Sequence, residues 1–225
     1  MRQYLFQIVL ALALIAGGIY VVQQCYFFNH EPQQRVLNQL MGPGYYLKEG
    51  DIVFQTSLSD QGLAIQQATH SPYSHCGVVL RKGDSLQVLE AVEPVRYTPL
   101  KTWIAKGQGG IYIAKRLKDA SKLLNTAALR RMKSMADGWL GKHYDLYFEW
   151  TDEKMYCSEL VWKLYQRTLG LQLGALQQLR DFDLNSAQMQ QKMQERYGDQ
   201  VPYTETVIAP SAIFNSPLLI TVADE

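Results

Sequence analysis

Met155-Tyr156-Cys157-Ser158-Glu159-Leu160-Val161-Trp162 places a thiol immediately ahead of an apolar stripe at helical spacing. Leu160, Val161, Leu164, Tyr165 and Leu169 recur on one face, and Gly170 supplies a stop. The spacing predicts a helix running to about Leu169 with Cys157 in its first turn. There the backbone N–H groups lack partners and the dipole is positive, so a thiolate is favoured. The same N–H groups can hold an oxyanion, the Cys157 amide first among them. Taken alone, a cysteine beside apolar residues is usually a small buried hydrophobe. Helix capping suffices to explain Ser158 and Glu159.

Far upstream, Tyr73-Ser74-His75-Cys76-Gly77-Val78-Val79-Leu80 reads as the start of a buried strand. An imidazole there can take the proton of a thiol. Alternation puts His75, Gly77 and Val79 on one face and Cys76, Val78 and Leu80 on the other. Cys76 is therefore expected to point away from the site as a structural residue, while Gly77 leaves room for a close neighbour. A hairpin turning at Gly83-Asp84 brings a residue near position 90 opposite His75, and Glu90 is the candidate to orient the imidazole. The same geometry also suits a plain cross-strand polar pair. Glu93 is a second orienting candidate, and His70 and His143 are rival bases.

The chain has 225 residues, 22 Lys and Arg against 21 Asp and Glu, and a net charge of +1. No basic block forms a nucleic-acid footprint, so nucleic acid is not expected as a partner. Fourteen Tyr and four Trp suit either a ligand groove or an ordinary aromatic core. The three cysteines, Cys25, Cys76 and Cys157, make no disulfide framework. The four histidines show no metal-ligand spacing, so neither structural zinc nor any other cofactor is expected.

Tyr4 to Val22 is an uncharged apolar run long enough to span a bilayer. We read it as an uncleaved anchor in preference to a signal peptide, because Ala16-Gly17-Gly18 is a weak cleavage site inside the run. Arg2 precedes the run and the next cation is Arg35, which puts the body outside the cytoplasm. The expected organisation is residues 1–23 as anchor or signal segment, 24–46 as connector and 47–225 as a single domain.

Within that domain, Gly50–Gln55 reads as a turn into a first strand, and further strands are predicted at about His75–Leu80, Leu86–Val92 and Ile111–Leu117. Short helices are predicted after Ser57 and around Trp103, a longer one over Ser121–Leu140, and another over Gln177–Arg196. Pro202–Ile220 is expected to be extended and to add an edge strand. Short strands joined by hairpins and alternating with helices indicate an α+β fold.

Several ordered blocks resemble the permuted papain-like amidases of the YaeF/YiiX type, a branch of the NlpC-like cysteine hydrolases. They are Gly50-Asp51-Ile52-Val53-Phe54-Gln55, Ala68-Thr69-His70-Ser71-Pro72-Tyr73-Ser74-His75, Leu89-Glu90-Ala91-Val92, Gly141-Lys142-His143-Tyr144-Asp145 and Tyr156-Cys157-Ser158-Glu159-Leu160-Val161. The resemblance spans about Leu47 to Val222. It implies a circularly permuted papain-like fold, an antiparallel sheet packed with helices, with histidine preceding cysteine in the chain. It implies His75 as base, Glu90 as its orienting acid and Cys157 as nucleophile. Tyr144 and Asp145 match a supporting loop, and Tyr156 and Ser158 flank the nucleophile as oxyanion or supporting residues. Cys76 stands where a small or branched residue is expected.

The implied activity is cysteine amidase or peptidase chemistry in the bacterial cell envelope, anchored to the inner membrane or secreted to the periplasm. Cell-wall peptides are the first substrate class, with a lipid or acylated amine as the alternative. A thioester-forming acyltransferase and an inactive binding module of the same fold are the rival functions. A redox or metal protein using Cys76 and Cys157 is a further rival, which the alternation disfavours. Oligomeric state is not legible.

Overall fold

The computed structural model describes residues 46–224; the apolar run Tyr4–Val22 and Cys25 lie outside the described residues. Eight strands are present among them: β1 (Ile52–Gln55), β2 (His75–Lys82), β3 (Ser85–Glu90), β4 (Arg96–Pro99), β5 (Ile113–Leu117), β6 (Gln177–Gln178), β7 (Thr206–Val207) and β8 (Leu219–Asp224). Six form an antiparallel sheet in the order β4-β3-β2-β1-β5-β8, and β6 pairs with β7. The central strand β1 is buried at every residue, which is why its sequence is a short apolar run and not an alternation. β2 and β3 turn at Gly83-Asp84, where Gly83 takes a positive φ that a two-residue hairpin requires.

Seven helices complete the described residues: α1 (Asp60–Thr69), α2 (Leu100–Lys106), α3 (Ala120–Leu123), α4 (Thr126–Trp139), α5 (Cys157–Leu169), α6 (Ala187–Tyr197) and α7 (Pro210–Phe214). Ser59 caps α1, its hydroxyl accepting from the Gly62 N–H, and α5 stops at Gly170 in the left-handed region.

Three stretches differ from their sequence reading. Ser121–Leu140 is two helices, because the Asn125 side chain accepts from the N–H groups of Ala127 and Ala128 and starts α4 anew. Gln177–Arg196 is α-helical only from Ala187, after a 3₁₀ turn at Leu179–Asp181. Its first residues pair with β7, Asp183 Oδ1 takes the Asn185 N–H, and Ser186 caps α6. Pro202–Ile220 is not extended throughout: it contains β7 and α7 before β8 joins the edge of the sheet beside β5.

The sheet has two covered faces. Ile52, Phe54, Cys76, Val78, Leu80 and Leu89 pack in one cluster with Met132 and Ala136 of α4 and with Leu160, Val161 and Leu164 of α5. Val53, Val79, Val88 and Ala114 pack on the other face with Leu100 and Trp103 of α2. Each fully buried aliphatic side chain contributes roughly 1.5–3 kcal/mol, so the α5 stripe fixes its N-terminal turn firmly against β2.

Candidate active site

Cys157 is the first residue of α5, with extended backbone at Tyr156 before it. The Tyr156 N–H donates to Glu159 Oε2 at 3.2 Å, so the capping role expected of Glu159 is seen. Ser158 Oγ donates to the Ile208 carbonyl at 2.7 Å, and the Ile208 N–H donates to the Tyr156 hydroxyl at 3.1 Å. Both flanking side chains are thereby turned to anchoring the helix start. Glu159 and Lys163 form a buried ion pair at 2.6 Å, and Lys163 continues to Asp152 at 2.8 Å.

His75 opens β2. Its Nε2 lies 2.7 Å from Glu90 Oε2, and its ring stacks at 6.0 Å from that of Trp103. Glu90 Oε1 accepts from Thr98 Oγ1 at 2.6 Å and from Lys106 Nζ at 3.4 Å. Nε2 is engaged by Glu90, which leaves Nδ1 free of it, and His75 and Cys157 shift each other's titration.

The expectation for Cys76 is overturned. α5 packs on the face that Cys76 shares with Val78 and Leu80, so Cys76 and Cys157 lie in one buried cluster and shift each other's titration. His75 lies on the opposite face by alternation but at the first residue of the strand, and its ring still reaches the thiol. The site therefore forms at the end of β2, where both faces are accessible to one sulfur. Both cysteines are free thiols.

These contacts set the charge states. The Cys157 thiol is held well below its ordinary range. The Cys76 hydrogen bond is the largest cause, and the hydrogen bond and charge of His75 add to it, together outweighing burial. Burial and the neighbouring Cys157 charge push Cys76 up, so it stays a thiol and can donate. Burial alone would lower the pKa of His75. Hydrogen bonds and charges from Cys157 and Glu90 outweigh that and raise it to about 10. Burial would likewise raise Glu90, but His75, Thr98 and Lys106 lower it to about 2. These shifts favour a thiolate on Cys157, an imidazolium on His75 and a carboxylate on Glu90.

The Tyr144–Asp145 loop lies alongside. Tyr144 bridges Met155, and the Asp145 N–H donates to the Met155 carbonyl at 3.1 Å, two residues ahead of the thiol. Asp145 Oδ1 accepts from the Tyr147 N–H at 2.9 Å. Burial and the Cys157 charge raise the Tyr144 phenol well above its ordinary range, so it remains a donor. The rival histidines sit apart: His70 pairs with Asp183 at 3.3 Å and His143 with Glu93 at 2.6 Å, and both side chains are about three-quarters exposed. Sequence reasoning missed Thr98, Lys106 and Trp103, and misplaced Cys76. The β3–β4 register, with Val88 opposite Thr98, is the signal that would have found Thr98.

The chain belongs to the permuted papain-like amidase family YaeF/YiiX, C92, whose profile matches residues 46–223. It is 48% identical over 176 residues to the uncharacterized protein YiiX of Escherichia coli K12, covering 78% of this chain and 86% of that protein. A crystal structure described as metalloprotein YiiX from Escherichia coli O157:H7 superposes with a TM-score of 0.76 at 46% identity, covering 80% of this chain and 99% of that one. Among the described residues of this chain, no three His, Cys, Asp or Glu side chains converge as a metal site.

Proposed function

We propose that this protein is a cysteine amidase in which Cys157 is the nucleophile, His75 the acid–base and Glu90 the group that orients and charges His75. The observation that carries this reading is the buried His75–Glu90 pair at 2.7 Å, with the Cys157 thiol at the start of α5 electrostatically linked to His75. The thiolate attacks the amide carbonyl, forming the S–C bond, and the Cys157 N–H at the helix start stabilises the oxyanion. The carbonyl re-forms as the C–N bond breaks, and the His75 imidazolium gives its proton to the leaving nitrogen. His75, now neutral, takes a proton from water, whose oxygen attacks the thioester. The product carboxylic acid departs and the thiolate–imidazolium pair returns.

Tyr144, Asp145, Tyr156 and Ser158 support this centre by holding the strand-like segment and helix start that carry Cys157. The apolar run Tyr4–Val22 remains part of the proposal as an envelope anchor with this domain in the periplasm, tested by fractionation and protease accessibility. Among the described residues no helix is long and apolar enough to cross a membrane.

The test is hydrolysis of a panel of N-acyl amides by the full chain and by Cys157→Ala, followed by mass spectrometry of a trapped acyl-enzyme. Turnover with a thioester on Cys157 supports the reading. Turnover that survives in Cys157→Ala removes it.

A further inference from the structure

Gln55 ends β1 and is the direct cross-strand partner of His75, which starts β2. Residues opposite each other on neighbouring strands share a face, with roughly 4.5–5.5 Å between their Cβ atoms, so these two side chains stand side by side. β2 lies between β3 and β1 in the sheet. Glu90 of β3 engages Nε2 of the imidazole. Gln55 therefore flanks the ring from the other side, away from Glu90.

The Gln55 side chain lacks what a buried amide ordinarily has. The residue is 3% exposed, and its Oε1 is buried without a hydrogen-bond partner. Gly107 fixes where the carboxamide lies: a Cβ there would fall 2.6 Å from Oε1 and 3.2 Å from Cδ. Gly107 is itself tied to this edge of the fold by its bridge to Ser57. Folding strips such an oxygen of water, and native structures nearly always supply a replacement partner. Trp103 Nε1 is a second buried group without a partner near His75, but it belongs to the packed cluster on that face of the sheet. Gln55 instead lines a recess of about 970 Å³, together with His75, Glu90, Ser57, Ser74 and Lys106. A molecule in that recess can supply the partner that the fold does not.

The proposed reaction places one such partner there. His75 protonates the leaving nitrogen, so that nitrogen lies within hydrogen-bond reach of the ring. The nitrogen of a secondary amide carries one N–H. As the tetrahedral intermediate collapses, its lone pair must face the proton on His75, which turns the N–H aside. An acceptor beside the ring, on the side away from Glu90, is positioned to receive it. An ester has oxygen at that position and no hydrogen to give.

We propose that Gln55 is a substrate-binding residue whose carboxamide oxygen accepts the N–H of the scissile amide, turning the nitrogen lone pair toward His75 and selecting secondary amides over esters. This rests on the amidase reading and deepens it by naming the group that tells an amide from an ester at the same thiol.

The test compares matched probes: the 4-nitroanilide and the 4-nitrophenyl ester of each acyl group in the amide panel. Each pair is measured on the full native chain, on Gln55→Met and on Gln55→Asn. Methionine keeps the length of the side chain and removes its hydrogen bonding, and asparagine withdraws the carboxamide by one methylene. Alkylation of Cys157 by iodoacetamide across pH is read in parallel, to show whether the thiol–imidazole pair is disturbed. In both variants kcat/KM for the anilide should fall about tenfold, the worth of one neutral hydrogen bond. The ester should stay within about twofold, and the alkylation profile should not move.

An equal loss on both probes, a displaced alkylation profile or an undiminished anilide rate overturns the inference and leaves the amidase reading intact. A native chain that hydrolyses none of the anilides, whether or not it takes the esters, removes the amidase reading and the inference with it.

Discussion

His75 and Glu90 meet at 2.7 Å although they are not cross-strand partners. The β2–β3 register pairs Val78 with Leu89 and Val79 with Val88, which carries Glu90 opposite Gly77 and leaves His75 one step along the diagonal. The approach depends on Gly77: a Cβ there would fall 2.5 Å from Val88 Cγ1 and 2.7 Å from the Leu89 carbonyl. The absence of a side chain at one strand position therefore lets the carboxylate lie against the imidazole. The carboxylate in turn helps hold the imidazolium against burial.

Glu90→Gln keeps a hydrogen-bond acceptor and removes the charge. The His75 pKa, raised to about 10 in the native site, should fall. In the proposed mechanism the imidazolium gives the leaving group its proton, and it is lost as pH rises through its pKa. The alkaline limb of the kcat/KM profile should accordingly move to lower pH. The loss of kcat/KM at neutral pH should be about two orders of magnitude milder than that in Cys157→Ala. An unmoved alkaline limb would assign it to a group other than His75.

Cys76 is the largest cause of the lowered Cys157 pKa. Cys76→Ala should raise the Cys157 pKa and move the acid limb of the kcat/KM profile upward, since the thiolate is lost as pH falls through its pKa. Cys76→Ser, which retains a donor, should restore part of the shift. Stopped-flow thiolate absorbance across pH reads this directly.

The Gly50-Asp51 block holds the sheet and not the chemistry. Asp51 is fully buried and receives Arg116 in a two-pronged contact, Nε to Oδ1 at 2.6 Å and a terminal nitrogen to Oδ2 at 2.7 Å. Asp51→Ala leaves that guanidinium unpaired and should cost about 3 kcal/mol, near the lower end for a broken buried pair because Arg116 keeps some solvent contact. Urea unfolding should show a lower midpoint with an unchanged slope.

His70→Ala and His143→Ala should each retain kcat/KM within about tenfold of the native value. Both side chains are largely exposed and engaged with Asp183 and Glu93, and a general base must lie within hydrogen-bond reach of the proton it takes. A loss as deep as that of His75→Ala in either variant would reassign the base.

Much of this arrangement was legible because it is local. The apolar stripe from Leu160 to Leu169 set the helix that carries Cys157, and Gly83-Asp84 set the hairpin that brings Glu90 near His75. What was not legible depends on which element covers which face. Strand alternation separates His75 from Cys76 correctly, but only the packing of α5 decides that Cys157 meets the Cys76 face. The lining of the apolar cavity beside Tyr156 and Cys157 was invisible for a similar reason. Leu179, Phe182, Leu184 and Met189 follow no single period, because a short 3₁₀ turn, a loop and the start of α6 contribute them in succession. Asn125 and Ser186 were readable as helix caps and went unread inside longer helical patterns.

The central claim is that Cys157 rests as a thiolate paired with the His75 imidazolium. The most direct test is the pH dependence of iodoacetamide alkylation at Cys157, resolved by mass spectrometry, in the native chain and in His75→Ala. The account predicts rapid alkylation of Cys157 well below neutral pH, with that reactivity displaced to higher pH when His75 is removed. Alkylation that follows an ordinary thiol pKa of about 8.5 in both proteins would contradict it.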